Sequence, residues 1–177
     1  MIGLFIGRFQ PFHNGHLNLV SHIMEESSSK LIVAIGSAQE SHTLENPFTA
    51  GERYSMIATT MEDEGIKGCH PIPVPDINRY NVWVAHVESY LPSFEKVYTN
   101  SPLTTRLFSE RGYEVQGTPL FNRAQYSGTE IRRRIIMSES WQDLVPRSVA
   151  KVIEDIDGAS RLRDLANKDN DNEEDQE

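Results

Sequence analysis

Ile2-Gly3-Leu4-Phe5-Ile6-Gly7-Arg8-Phe9-Gln10-Pro11-Phe12-His13-Asn14-Gly15-His16 runs from an apolar segment into the start of a helix. Ile2–Ile6 reads as a buried strand, and Leu17–Glu26 carries a helical pattern. Gly7–His16 therefore lies on a strand-to-helix turn, where α/β sheets build ligand sites. The first turn of a helix offers unpaired backbone N–H groups and the positive end of the helix dipole, which suits a phosphate. His13 and His16 can add donors to the same anion, with Arg8 and Gln10 beside them. Asn14 is placed to cap the helix. The competing reading is that both imidazoles only cap and pack; the neighbouring Arg8 and Gln10 favour anion binding. The stretch holds neither the P-loop pattern nor the dinucleotide fingerprint. With one cysteine and neither H-E-x-x-H nor C-x-x-C in the chain, no metal ligands are assigned.

Outward from this turn, short apolar runs alternate with helical segments. Strands are expected at Ile2–Ile6, Leu31–Ile35, Pro71–Val74, Lys96–Thr99 and Tyr113–Gln116, with helices near 15–28, 50–64, 81–91 and 102–111. That β-α-β-α order with right-handed crossovers predicts an α/β fold: an open parallel sheet of about five strands, with helices on both faces. The C-terminal part is helical. One helix starts near Ser127 and another at Pro146, a residue suited to the first turn. Val149, Val152, Ile153 and Ile156 give the second an apolar stripe. Gly158 is expected to end it, and Leu162 and Leu165 suggest a last short helix.

No apolar run approaches the roughly 20 residues of a membrane span. No basic segment precedes the first apolar run, which argues against a signal peptide. The single Cys69 excludes an internal disulfide, so a cytoplasmic setting is expected. Net charge is −9, but residues 169–177 carry six acids and no base, leaving −3 for the rest. That segment has no apolar residue and is expected to be disordered. Its charge argues against nucleic acid as a partner. Residues 1–167 are read as one domain and 168–177 as its acidic tail. Twelve arginines stand against five lysines, with Arg123, Arg132, Arg133 and Arg134 in one stretch. Arginine forks suit bidentate phosphate contacts, so a small anionic ligand is expected.

The helix opened by Ser127 or Gly128 offers hydroxyls at Ser127 and Thr129 and then Arg132, which shares a face with Thr129. Arg133 can join them. Arg134, four residues from Glu130, can instead pair with it on the surface.

His13-Asn14-Gly15-His16 resembles the (H/T)-x-G-H signature of the nucleotidyltransferase superfamily, which also includes class I aminoacyl-tRNA synthetases. Tyr126-Ser127-Gly128-Thr129-Glu130-Ile131-Arg132 resembles its I-S-S-T-x-x-R element, with Tyr for Ile and Gly for the middle Ser. Gly7–His16, Gly36-Ser37-Ala38-Gln39, Asn46-Pro47-Phe48-Thr49-Ala50-Gly51-Glu52-Arg53 and the second element with its three arginines are together similar to the archaeal-type nicotinamide-nucleotide adenylyltransferases. The likeness runs from residue 2 to about 166. It implies a Rossmann-like nucleotidyltransferase domain over 1–167 that joins ATP to nicotinamide mononucleotide, giving NAD and pyrophosphate. It also implies Mg2+ on the phosphates and a homo-oligomer, often a hexamer. One departure is Glu45, where this family often has a basic residue before the Asn46-Pro47-Phe48 loop.

The same resemblance implies roles. His13 and His16 donate to the triphosphate, His16 nearer the α-phosphate. Ser127, Thr129 and Arg132 hold the β- and γ-phosphates. Arg8 meets the phosphates from the first turn, Gln10 orients them, and Gly7 and Gly15 belong to the same site. His13, His16, Arg8 and Arg132 form the catalytic set. The substrate's own 5′-phosphate is the nucleophile, and no Ser-His-Asp arrangement is legible. Asn81 and Trp83 are the candidates for the nicotinamide nucleotide: an indole can stack on a cationic pyridinium, and an Asn amide both donates and accepts. The alternative for Trp83 is packing, in a stripe with Val87 and Leu91. Glu52 and Arg53 can form a local ion pair. Competing functions are phosphopantetheine or FMN adenylyl transfer, and a non-catalytic nucleotide sensor.

Overall fold

The structure, a computed structural model, describes residues 1–27, 30–119 and 125–174; Arg123, part of the expected arginine stretch, lies outside them. The strands are β1 (Ile2–Gly7), β2 (Lys30–Ile35), β3 (Cys69–Pro73), β4 (Lys96–Tyr98) and β5 (Glu114–Gln116). All pair in parallel in the order β3-β2-β1-β4-β5. This is the open parallel sheet that the alternating pattern predicts, in the Rossmann-like form the resemblance implies. β1 is central, with Gly7 opposite Ile35 of β2 and Phe5 opposite Tyr98 of β4.

Strand side chains alternate between two cores. Phe5, Leu31, Val33 and Ile35 face one side, and Leu4, Ile32, Ala34 and Val97 the other. The first core is closed by α1 (Asn14–Ser27), α2 (Ala50–Asp63), α5 (Gly128–Ile136), α6 (Arg147–Asp155) and α7 (Gly158–Glu174). The second is closed by α3 (Tyr80–Tyr90) and α4 (Pro102–Glu110), through Val84, Val87 and Phe108. Burial on both faces explains why these strands read as unbroken apolar runs.

The helix starts carry their own chemistry. Thr49 and Glu52 form a reciprocal capping box on α2. Ser101 caps α4, and Ser127 caps α5 by accepting the Glu130 N–H.

Three expectations change. Asn14 is the first residue of α1 rather than its cap; its side-chain amide donates to the Asp143 carbonyl, 2.9 Å away. Gly158 does not end α6 but opens α7. The left-handed residue that turns the chain is Asp157 (φ 52°), and a Cβ at Gly158 would stand 2.9 Å from the Phe48 ring. The last helix is not short: α7 continues to Glu174, into the segment expected to be a disordered tail. A 3-10 turn at Gln142–Leu144, unmarked in the sequence pattern, precedes α6.

Candidate active site

At the C-terminal edge of the sheet, β1 has β2 on one side and β4 on the other. Loops leave in opposite directions there, and a cleft of about 620 Å³ opens between them. Gly7, Arg8, Gln10, His13, Gly15, His16, Ser127, Thr129 and Arg132 all border it. The structure thus brings together every residue expected at the phosphate site.

The turn between β1 and α1 is packed on rings. Phe9 and Phe12 are core residues, and Phe9 holds a left-handed backbone (φ 51°). The His16 imidazole stacks on Phe12, meets Phe9 edge-on at 4.9 Å, and lies on the His13 ring with centroids 3.5 Å apart. The two histidines lock each other. The His13 N–H donates to Nδ1 of His16 at 3.2 Å, and the His16 N–H points to Nδ1 of His13 at 3.3 Å. Burial lowers the His13 pKa to about 4, and burial with the neighbouring His13 holds His16 well below the ordinary value. Both imidazoles are therefore neutral at pH 7. A neutral ring that accepts at Nδ1 carries its proton on Nε2. The pair offers two N–H donors with no positive charge.

The start of α5 supplies the charge. Arg132 turns into the cleft and its Nη1 donates to the Gln10 carbonyl at 2.8 Å, tying α5 to the first turn. Burial and the nearby Arg8 charge lower its pKa. Gly128 allows this approach, because a Cβ there would lie 2.9 Å from the Gln10 carbonyl oxygen. Arg133 and Arg134 point elsewhere. Arg133 is held by Glu130 and Glu139, and Arg134 by Glu130 and the Ser140 carbonyl. Arg8 is half-exposed at the rim, 3.8 Å from the Glu45 carboxylate.

A smaller cavity of about 230 Å³ adjoins the cleft and shares Gly7 and Arg8 with it. Trp83 and Val87 of α3 line it, together with Gly36, Ser37 and Asp76. One edge of Trp83 packs on Phe108 at 5.6 Å, and the residue also borders the cavity. Among the described residues, no group of three or more His, Cys, Asp or Glu side chains could hold a metal ion, and no helix is long and apolar enough to cross a membrane.

Comparison with known proteins places the chain in a family. The cytidylyltransferase-like family model matches residues 4–134. A nicotinamide-nucleotide adenylyltransferase of Picrophilus torridus is 51% identical over 96% of this chain and 99% of its own. Those of Thermoplasma acidophilum and Archaeoglobus fulgidus are 52% and 50% identical, over 94% and 96% of this chain and 92% and 99% of theirs. The chain belongs to the nicotinamide-nucleotide adenylyltransferase family. A crystal structure of a bifunctional NMN adenylyltransferase/ADP ribose pyrophosphatase from Francisella tularensis, complexed with AMP and a manganese ion, shares the fold with a TM-score of 0.76 at 24% identity. The likeness covers 96% of this chain and 52% of that one, so this chain spans about half its length.

Within this adenylyltransferase fold, four side chains differ from expectation. Gln10 does not aim its amide at the cleft: it donates to the Phe48 carbonyl and accepts the Phe48 N–H, each at 2.9 Å. It positions the turn instead. Asn81 is exposed and borders a separate groove between α3 and α4, not the cavity at Trp83. Glu52 and Arg53 do not pair. Glu52 forms a two-point ion pair with Arg161 of α7 at 2.8 and 2.9 Å, and Arg53 is fully buried. The sequence did carry a signal for Arg53. With Met56, Ile57, Thr60 and Met61 it completes the buried stripe of α2, where a charge needs an internal partner.

Proposed function

We propose that the larger cleft binds the triphosphate of ATP and the smaller cavity the pyridine ring of nicotinamide mononucleotide. Adenylyl transfer between them gives NAD and pyrophosphate, the activity for which the relatives are named. The observation that carries this reading is the junction of two helix starts at one cleft, tied by Arg132 to the Gln10 carbonyl. A 5′-phosphate oxygen of the mononucleotide attacks the α-phosphorus, the new P–O bond forms, and the bond to the β-phosphate bridging oxygen breaks. No protein nucleophile is needed. The Nε2–H groups of His13 and His16 donate to the triphosphate oxygens as charge develops, His16 nearer the α-phosphate, and being neutral they need not lose a proton to do so. Arg132, with the Ser127 and Thr129 hydroxyls, takes the departing pyrophosphate, and Arg8 bridges the two cavities. Trp83 supplies a face for the pyridinium.

The cleft presents cations and neutral donors, with Glu45 at its rim. A divalent ion, magnesium on this reading, fits on the phosphate oxygens rather than in a protein cage and would neutralise charge there. A homo-oligomer, a hexamer in the form the resemblance implies, and a cytoplasmic setting belong to the same proposal. A coupled assay of NAD formation from ATP, the mononucleotide and magnesium tests the function. Product supports it. Tight ATP binding without turnover indicates a sensor, and turnover with phosphopantetheine or FMN in place of the mononucleotide indicates another transferase.

A further inference from the structure

Among the described residues, Arg53 is the largest fully buried side chain, and no carboxylate accepts a hydrogen bond from it. A guanidinium has five N–H donors. Here five main-chain carbonyls receive them. Nη1 donates to Arg8 and Gly36 at 2.8 Å each, Nη2 to Ser37 at 3.1 Å and Glu40 at 3.4 Å, and Nε to Thr49 at 3.3 Å. Burial, with the Arg8 charge, lowers its pKa to about 10, still far above neutrality. A buried cation held only by carbonyls is costly to fold around, so its role is to be sought in what those carbonyls belong to.

They belong to the loops that leave β1 and β2. Arg8, Gly36 and Ser37 are also three of the residues that border the smaller cavity. The fork therefore ties the loop after β1 to the loop after β2 at residues that line this cavity together with Trp83. We propose that Arg53 is the positioning residue of the second-substrate cavity: it sets the width of the slot for the pyridine ring and the direction of the Arg8 backbone shared with the phosphate cleft. This rests on the reading of that cavity given under the proposed function. The planar fork is the essential feature. Lysine keeps a positive charge but has three donors from one nitrogen, and cannot serve five carbonyls spread over a plane.

The test is steady-state kinetics of the full chain with each substrate varied in turn, for the wild type, Arg53→Lys, Arg53→Met and Trp83→Ala, with a thermal unfolding scan of each. Loosening a positioned loop pair should raise the KM for the mononucleotide roughly tenfold or more in both Arg53 variants, while the KM for ATP moves less than about threefold. A role in charge alone leaves Arg53→Lys near the wild type, which overturns the proposal. Equal rises in both KM values, or loss of the folded state in both variants, makes Arg53 a general structural residue and overturns it as well. A mononucleotide KM that rises in Trp83→Ala but stays put in the Arg53 variants defeats this inference alone. One that stays put in all three defeats the reading of the cavity and the inference with it.

Discussion

The two helix starts that meet at the cleft are built on opposite plans. The start of α1 is buried, aromatic and neutral: His13 and His16 stack on each other and on Phe12, and backbone N–H groups approach both Nδ1 atoms. The start of α5 is polar and charged, with three arginines of which one enters the cleft. A buried site can fix the direction of a donor but charges heavily for a cation, whereas a half-open one tolerates the cation but holds it less firmly. The division suggests that α1 supplies geometry at the reacting phosphorus and α5 supplies charge at the leaving group.

The sharpest way to break that contrast is His16→Ala. Removing one preorganised donor at a developing oxyanion costs about 3–4 kcal/mol, roughly a hundredfold or more in kcat. Circular dichroism should find the fold intact. Turnover near the wild-type value in a pyrophosphate-release assay would remove His16 from the chemistry.

Neutrality of the α1 turn can be read from stability against pH. The folded pKa of His13 is about 4 against an ordinary 6.5. Below 6.5 the unfolded chain therefore gains a proton that the folded chain refuses, so stability falls as pH drops and is flat above 6.5. Between pH 7 and pH 5 His13 alone should cost about 2 kcal/mol. The lowered carboxylates, Glu52, Glu88, Glu130 and Glu139, lose their contribution only below their ordinary 4.5, outside that window. Urea unfolding of the wild type and His13→Asn at both pH values isolates the effect. A difference that survives the substitution unchanged refutes the assignment to His13.

The charged side is probed by separating its three arginines. Arg132→Ala should lose about 1.5–3 kcal/mol of transition-state binding, because it removes a charged donor from the cleft. Arg133→Ala removes a largely exposed ion pair and Arg134→Ala a half-buried one, neither in the cleft, and each should leave kcat/KM within about 0.5 kcal/mol. A kcat/KM series in which all three fall together would mean that the helix, not Arg132, carries the effect.

How far the sequence exposed this site follows from the range of each interaction. The strands were legible because burial on both faces leaves unbroken apolar runs. The start of α5 was legible because Ser127 and Glu130 complete their cap within four residues. Arg134 and Glu130 were paired correctly from i, i+4 spacing alone. What failed was tertiary. The amide of Gln10 meets Phe48, 38 positions away, and Glu52 passes over its neighbour Arg53 for Arg161, 109 positions away. No local rule anticipates such pairs. Gly158 misled because a glycine after an apolar stripe reads as a helix stop, whereas here its missing side chain makes room for Phe48. Asn81 misled because two residues of helix turn it away from Trp83, onto the α3–α4 groove.

The smallest effect belongs to Glu45, at the seam between the two plans. Its carboxylate lies 3.8 Å from Arg8, and both side chains are mostly exposed. Exposed pairs of this kind contribute only about 0.2–1 kcal/mol, yet this one engages Arg8, which borders both cavities. Phosphate must compete with it. Glu45→Gln should therefore tighten ATP binding by a few-fold at low salt, with kcat little changed, and the gain should fade as added salt screens the carboxylate in the wild type. Titration calorimetry at two ionic strengths reads it directly. A gain that persists undiminished at high salt would mean that Glu45 shapes the loop rather than shielding Arg8. Weaker ATP binding would mean that its carboxylate assists the phosphates, for instance by orienting Arg8 toward them.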